Sequence, residues 1–329
     1  MAQHPSGPAS RRSRPGPDPA RGLPNLPRLR VVLTGLILAL AACGTSQAPR
    51  EAPEAVDQDL ASGWRLARFA FEQGQYDQAA ELYRRVLERA YARDDLLAIG
   101  DLGYELAVVR LRQRDPGAAA EQARMTRDEL RRRGAPPFAE LYLVEAVARY
   151  ETGDGAGATA MADAALELAP AADDEVVARA LFLHGRIAAD RADHEGLARA
   201  LAGLGAPRSA ALRADRLELQ GRLALLEERP EGALPAFRQS ADLRREVADY
   251  VGMARALAFA AEAAQAAGQV EEAADLYFRA GRSAEVEGGR ADARRWLEAA
   301  ARLAATTDQT EILAEANQRL EQLNEADLP

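Results

Sequence analysis

The chain has 329 residues, 48% hydrophobic and 28% charged but only 5% aromatic, with a formal net charge of −9. All 42 of its basic residues are arginine, which excludes a phosphate-binding P-loop, a Schiff-base lysine and a lysine general base. Six arginines (Arg11, Arg12, Arg14, Arg21, Arg28 and Arg30) stand against Asp18 in residues 1–42. The rest is therefore more acidic than the whole, the wrong sign for neutralising nucleic-acid phosphates or for docking directly on anionic lipid.

In chain order, Met1 to Arg30 is rich in proline, serine and arginine and has too little apolar side chain to order itself. Val31 to Ala42, VVLTGLILALAA, carries no charge over twelve residues. That is too short for a membrane span, which needs about 20 residues, and suits a signal-peptide core. It ends in Leu40-Ala41-Ala42-Cys43, which resembles the lipobox of bacterial lipoproteins: an aliphatic residue, two small residues, then the cysteine that is lipidated. The resemblance implies cleavage before Cys43, with diacylglycerol and an N-acyl chain on that residue and no other cofactor. An ordinary signal peptide cleaved after Ala42, or a buried thiol, is the alternative. Cys43 is the only cysteine, so no intrachain disulfide can use it. Gly44 follows it where an aspartate would stand in the inner-membrane class, a pattern that resembles outer-membrane lipoproteins of Gram-negative bacteria. The polar run GTSQAPREAPEA reads as a flexible tether. The expected domains are a signal peptide at 1–42, a lipidated tether at 43–57 and a helical domain at 58–325.

The helical domain repeats itself. Residues 74–83 read GQYDQAAELY and residues 268–277 read GQVEEAADLY. Between them a small residue on one predicted helix recurs with a partner twelve places later on the next. The pairs are Ala67/Ala79, Ala107/Ala119, Ala146/Ala158, Gly185/Leu197, Gly221/Ala233, Ala261/Ala273 and Ala300/Ile312, in steps of 40, 39, 39, 36, 40 and 39. Such a period marks a repeat architecture. In the first unit Leu60 to Glu72 carries Leu66, Ala67, Ala70 and Phe71 at helical spacing. Gly74 and Gln75 turn the chain, and Tyr76 to Ala90 carries Ala79, Ala80, Tyr83, Val86 and Leu87 on one stripe. Asp115-Pro116, Gly153-Asp154-Gly155, Pro230 and Gly288-Gly289 punctuate later units. A last helix over Glu311 to Leu323 caps the stack with Ile312, Leu313, Ala316 and Leu320.

The pattern resembles the tetratricopeptide repeat. The family's small, glycine, aromatic, alanine and aromatic places fall on Ala67, Gly74, Tyr76, Ala79 and Tyr83, and again on Ala261, Gly268, Val270, Ala273 and Tyr277. Trp296 and Pro170 occupy two further family positions. The resemblance implies an all-α, right-handed superhelical solenoid of about seven helical hairpins, whose groove is lined by the first helix of each pair and grips a segment of another protein. Its inward-facing places fall on Trp64, Arg68 and Phe71; Tyr104, Val108 and Leu111; Leu143, Val147 and Tyr150; Phe182 and Arg186; and Arg222. Aromatic residues and arginines suit a peptide-binding wall, although any one of them could instead pack between helices.

Catalytic and metal sites find no support. His184 and His194 fall on different predicted helices without further ligands. Gly153 to Gly157 follows a helix rather than a strand and reads as the repeat's turn. The expectation is a non-catalytic scaffold lipoprotein with a protein or peptide partner, touching the outer membrane only through its lipid, on the periplasmic side, and binding no nucleic acid. A subunit or regulator of an envelope-polymer enzyme, or a pilus or secretin assembly factor, is the rival. Cys43→Ser should release the protein from membranes or block its processing; a mutant that fractionates and migrates like wild type removes the lipidation reading.

Overall fold

The computed structural model describes residues 57–169 and 174–325. The signal segment, Cys43, most of the tether, Pro170 and residues 326–329 lie outside the described residues. Those described form fourteen helices and no strand. In hairpin pairs they are α1 (Gln58–Glu72) and α2 (Tyr76–Ala92), α3 (Leu96–Arg112) and α4 (Pro116–Arg132), α5 (Ala139–Glu151) and α6 (Gly155–Leu168), and α7 (Asp174–Asp190) and α8 (His194–Leu204). The remaining pairs are α9 (Ala210–Leu226) and α10 (Pro230–Glu246), α11 (Tyr250–Ala266) and α12 (Val270–Val286), and α13 (Arg290–Ala304) and α14 (Thr310–Glu325). This is the predicted all-α, right-handed superhelical solenoid of seven hairpins.

Aspartates set several of the starts. Asp95, Asp115, Asp154, Asp193 and Asp249 each accept the backbone N–H three residues on, from Ala98, Ala118, Gly157, Gly196 and Gly252. Each thereby satisfies a donor that the helix start would leave unpaired. The residue before each cap has a left-handed backbone, which ends the preceding helix. After α1, Gly74 (φ 72°) plays this part: its N–H donates to the Phe71 carbonyl at 3.0 Å, and Gln75 N–H donates to the Ala70 carbonyl at 2.9 Å, a Schellman closure. Asp94, Arg114, Ala192, Glu228, Ala248 and Asp308 hold the same backbone elsewhere. Glycine therefore marks only some of the turns.

The hairpins close on the small-residue pairs. Ala67, Ala79, Ala107, Ala119, Ala146, Ala158, Leu197, Ala233, Ala261, Ala273 and Ala300 have no exposed surface. Gly185 and Gly221 are also buried. A Cβ on Gly221 would stand 2.7 Å from the Phe237 ring, and Phe237 is itself fully buried. Ile312, on the last described helix, is only half-buried.

The core is accordingly a series of local clusters. One joins α1, α2 and α3 around Tyr83 and Ile99. Another runs from α9 to α14 around Phe237, Leu276 and Leu297. Each hairpin buries itself on its neighbours, as solenoids do. One bond breaks that rule: Arg114 Nη2, after α3, donates to the Glu287 carbonyl, after α12, at 3.3 Å and 173 residues away in sequence. The solenoid winds far enough to meet itself.

The glycine roles predict two different losses. Nothing lies within 4 Å of a Cβ on Gly74, so Gly74→Ala should cost only the left-handed backbone, about 1 kcal/mol. Gly221→Ala forces Phe237 aside and should cost more, about 1–3 kcal/mol. Urea unfolding of the two mutants would rank them; equal losses would mean the close approach at Gly221 is not tight.

Candidate functional site: the inner wall of the solenoid

Successive first helices (α3 with α5, α5 with α7, α7 with α9, α9 with α11) approach one another. Among second helices only α12 and α14 do so to a comparable degree. The first helices thus occupy the shorter, inner arc, and their free faces form the wall.

The sequence-expected wall residues divide into two groups. In the first two hairpins the apolar ones are largely consumed by packing. Trp64 is buried among the α1–α3 residues. Phe71 is half-buried and lies 5.7 Å from the Tyr76 ring. Tyr104 stands edge-on to Phe138 at 6.1 Å, and Leu111 packs with it against Val108. Arg68 is exposed. Leu143, expected on the wall, is fully buried inside the third hairpin.

The other four come together in the middle of the solenoid. Tyr150 donates its hydroxyl to Asp190 Oδ2 at 2.5 Å. Arg222 forms an ion pair with the same carboxylate and donates from Nη1 to the Arg186 carbonyl at 3.5 Å. The Arg186 guanidinium lies over the Tyr150 ring, 4.3 Å from its centroid, and 5.8 Å from that of Phe182. Arg222 in turn lies 5.1 Å from the centroid of Phe259, which stacks on Phe237.

A charged network lies beside this group. Arg244, from α10, donates to Asp215 and Glu218 at 2.8 Å and to Asp249 at 2.6 Å. Arg179 reaches Asp215 at 3.1 Å, and Arg255 reaches Glu218 at 3.1 Å. Burial alone would raise the Glu218 carboxyl, but the Arg255, Arg244 and Arg186 guanidiniums outweigh it and hold it at about 2. Burial likewise opposes the charge on Arg244, yet Glu218, Asp215 and Asp249 raise its pKa above the ordinary arginine range. Glu151, an exposed residue at the end of α5, is shifted the other way: loss of solvent on its inner side pushes its carboxyl up against the weaker pull of Arg186, Arg255 and Arg114.

Sequence reasoning missed Asp190, Asp215, Glu218, Arg244, Arg255 and Phe259. A signal for several was present. Arg179 and Asp215 are 36 apart, Glu218 and Arg255 37, and Tyr150 and Asp190 40, which is one repeat in each case. Opposite charges one period apart on first helices meet across neighbouring units.

Among the described residues no group of three His, Cys, Asp or Glu is placed to hold a metal ion, and no helix is long and apolar enough to cross a membrane. His184 faces Asp163 at 3.0 Å, and the ring of His194 lies within hydrogen-bond distance of the Ala192 and Leu226 carbonyls.

No family model matches the chain, and no curated protein matches it. Solved structures do. A Rap protein complexed with competence and sporulation factor superposes with TM-score 0.54 at 12% identity, over 81% of this chain and 77% of that one. The apo quorum sensor NprR from B. thuringiensis gives 0.55 at 12%, over 80% and 87%. A signal transduction ATPase with a tetratricopeptide repeat sensor from Pyrococcus horikoshii gives 0.55 at 15%, over 82% and 43%. The fold is thus a tetratricopeptide-like solenoid.

Glu218 provides a test of the network. Its pKa is depressed from 4.5 to about 2, so its contribution to stability is complete above about pH 4.5 and is lost as the pH falls toward 2. Glu218→Gln should lower stability at pH 7 by about 3 kcal/mol, since it leaves buried guanidiniums uncompensated. It should also flatten the stability profile across that acid window. Chemical denaturation at a series of pH values would check both, and an unchanged acid profile would place the titration elsewhere.

Proposed function

We propose that this chain is a non-catalytic adaptor of the bacterial cell envelope that binds a segment of a partner protein along the inner wall of its solenoid. The observation that carries the reading is the meeting of Tyr150, Phe182, Arg186, Arg222 and Phe259 on that wall. Aromatic faces supply apolar contact area at little entropic cost, and arginine forks read carboxylates and carbonyls. Nothing on the wall assembles a nucleophile with a base, and the fold alone confers no chemistry. The Rap structure holds a bound factor; at that identity the likeness supports the scaffold only, and the binding reading rests on this chain's own side chains.

The envelope address rests on the amino-terminal sequence. The apolar segment before LAAC and the tether after it support a lipid on Cys43 that holds the solenoid at the periplasmic face of the outer membrane. The lipid would be the only contact with the bilayer, and the acidic solenoid would stand off an anionic surface.

The full chain, used as bait in detergent-solubilised envelopes, should capture a specific partner. Replacing Arg186 and Arg222 together by alanine should weaken capture by about 1–3 kcal/mol if both make charged hydrogen bonds to it. Arg84 and Arg85 on α2 are exposed and paired with Glu81 and Glu88, so replacing them should change capture little. Loss of capture on the α2 changes, with none on the inner pair, would move the binding surface to the convex side.

A further inference from the structure

The arginines of the central wall are unequal. Arg179 is held by Asp215, Arg222 by Asp190, Arg244 by Asp215, Glu218 and Asp249, and Arg255 by Glu218. Arg186 sits among them without an ion pair among the described residues. Its Nε is buried and donates to nothing, as is true of Arg244 Nε too, so what sets Arg186 apart is that it faces the rings of Tyr150 and Phe182 and no carboxylate pairs with it. An uncompensated guanidinium in a wall of this kind costs folding free energy. Burial and the like charges of Arg255 and Arg222 oppose its protonated form, while Tyr150 and Glu218 support it. Glu151, whose charge attracts Arg186, forms no ion pair with it among the described residues.

The frame around this guanidinium is already rigid. Tyr150 and Arg222 are both tied to Asp190, and the bond from Arg222 to the Arg186 carbonyl joins α7 to α9. Arg186 helps hold Glu218 ionised by its charge alone, without a direct pair, and a cation with no ion pair of its own inside a wall of direct pairs marks a candidate functional position.

We propose that Arg186 is the seat for one acidic side chain, an aspartate or glutamate, of the partner segment bound on the inner wall; this rests on the binding function proposed above. The Tyr150 and Phe182 rings flank the seat and would take the methylenes between that carboxylate and its backbone. Arg186 thus selects partners by charge, and the paired arginines around it hold the wall in shape. Glu151 attracts Arg186 without pairing with it, so it competes with the segment's acid and sets a threshold that a weakly acidic segment fails to pass.

The test uses the full chain in detergent and a randomised decapeptide library with free C-termini, beside the same library amidated. Wild type should enrich peptides with an acid at one fixed position from both. Changing that acid to its amide should weaken binding roughly tenfold to a hundredfold. Arg186→Met should lose the same factor, with no further loss when the peptide's acid is also removed. Glu151→Gln should bind the enriched peptide more tightly. Without peptide, Arg186→Met should lower the melting temperature much less than Arg244→Met, which breaks a directly paired network. Absence of acidic enrichment, unchanged peptide binding by Arg186→Met, weaker binding by Glu151→Gln, or a melting loss in Arg186→Met as large as that of Arg244→Met would each overturn the seat. Enrichment only from the free-C-terminal library would transfer the recognition to a terminal carboxylate and overturn the side-chain assignment. Capture of an envelope partner by wild type and Arg186→Met alike would remove the seat and leave the adaptor reading standing. The adaptor reading itself fails if capture never depends on the inner wall.

Discussion

Two helices can lie against each other closely only where the side chains between them end at Cβ or earlier. In this chain both members of the pair meet that condition in five of the seven hairpins, from Ala67 against Ala79 to Ala261 against Ala273. The first member meets it in all seven, with Leu197 and Ile312 as the larger second members. The recurrence fixes the geometry of each hairpin. A fixed hairpin geometry, stacked seven times, fixes a superhelix. At two of these contacts the side chain vanishes altogether, at Gly185 and Gly221, where a Cβ would crowd Leu219 and Phe237. The large residues Tyr83 and Phe237 then fill the space beside the contact, and both are fully buried.

Winding has a consequence for charge. First helices on the inner arc are drawn together, and the bond from Arg114 to the Glu287 carbonyl shows how far the winding goes. Polar residues on that arc are desolvated by walls that belong to distant units. Most answer by pairing across one repeat, as Arg179 does with Asp215 and Arg255 with Glu218. Removing one partner from such a pair costs more than the pair itself contributes, because the other charge stays behind in a poorly solvated place. The network therefore specifies the spacing of α7, α9, α10 and α11 more than it adds net stability. Arg186 is the member left outside it.

The likeness to Rap, NprR and the Pyrococcus repeat sensor is one of scaffold, at 12–15% identity. A scaffold of this kind is blind to its ligand, since the hairpin contacts use small residues and the wall residues are free to differ. The central wall presents Tyr150, Phe182 on α7, Phe259 on α11 and several arginines, in a chain that has no lysine. A guanidinium stacks on an aromatic face and forks a carboxylate at once, which an ammonium does poorly.

The repeat period, the helical class, the hairpin count and the small-residue contacts were legible in the sequence, because they depend on local spacing that recurs. Helix ends were legible to within a few residues: α1 begins at Gln58 rather than Leu60, and α14 spans Thr310–Glu325 rather than Glu311 to Leu323. Turns held by Asp94, Ala192 or Ala248 carried no glycine to mark them, since a helix end stabilised by its neighbours tolerates a left-handed alanine or aspartate. The wall was half legible. Register placed Tyr150, Phe182, Arg186 and Arg222 on inward positions, but periodicity cannot say whether an inward residue faces the groove or the next helix. Trp64 and Leu143 are buried against neighbours for that reason. Only the tertiary structure decided which charges pair, because a carboxylate and a guanidinium one repeat apart meet or miss by a rotation of the helices that local sequence does not encode. That same rotation left Arg186 against aromatic rings, with no ion pair among the described residues.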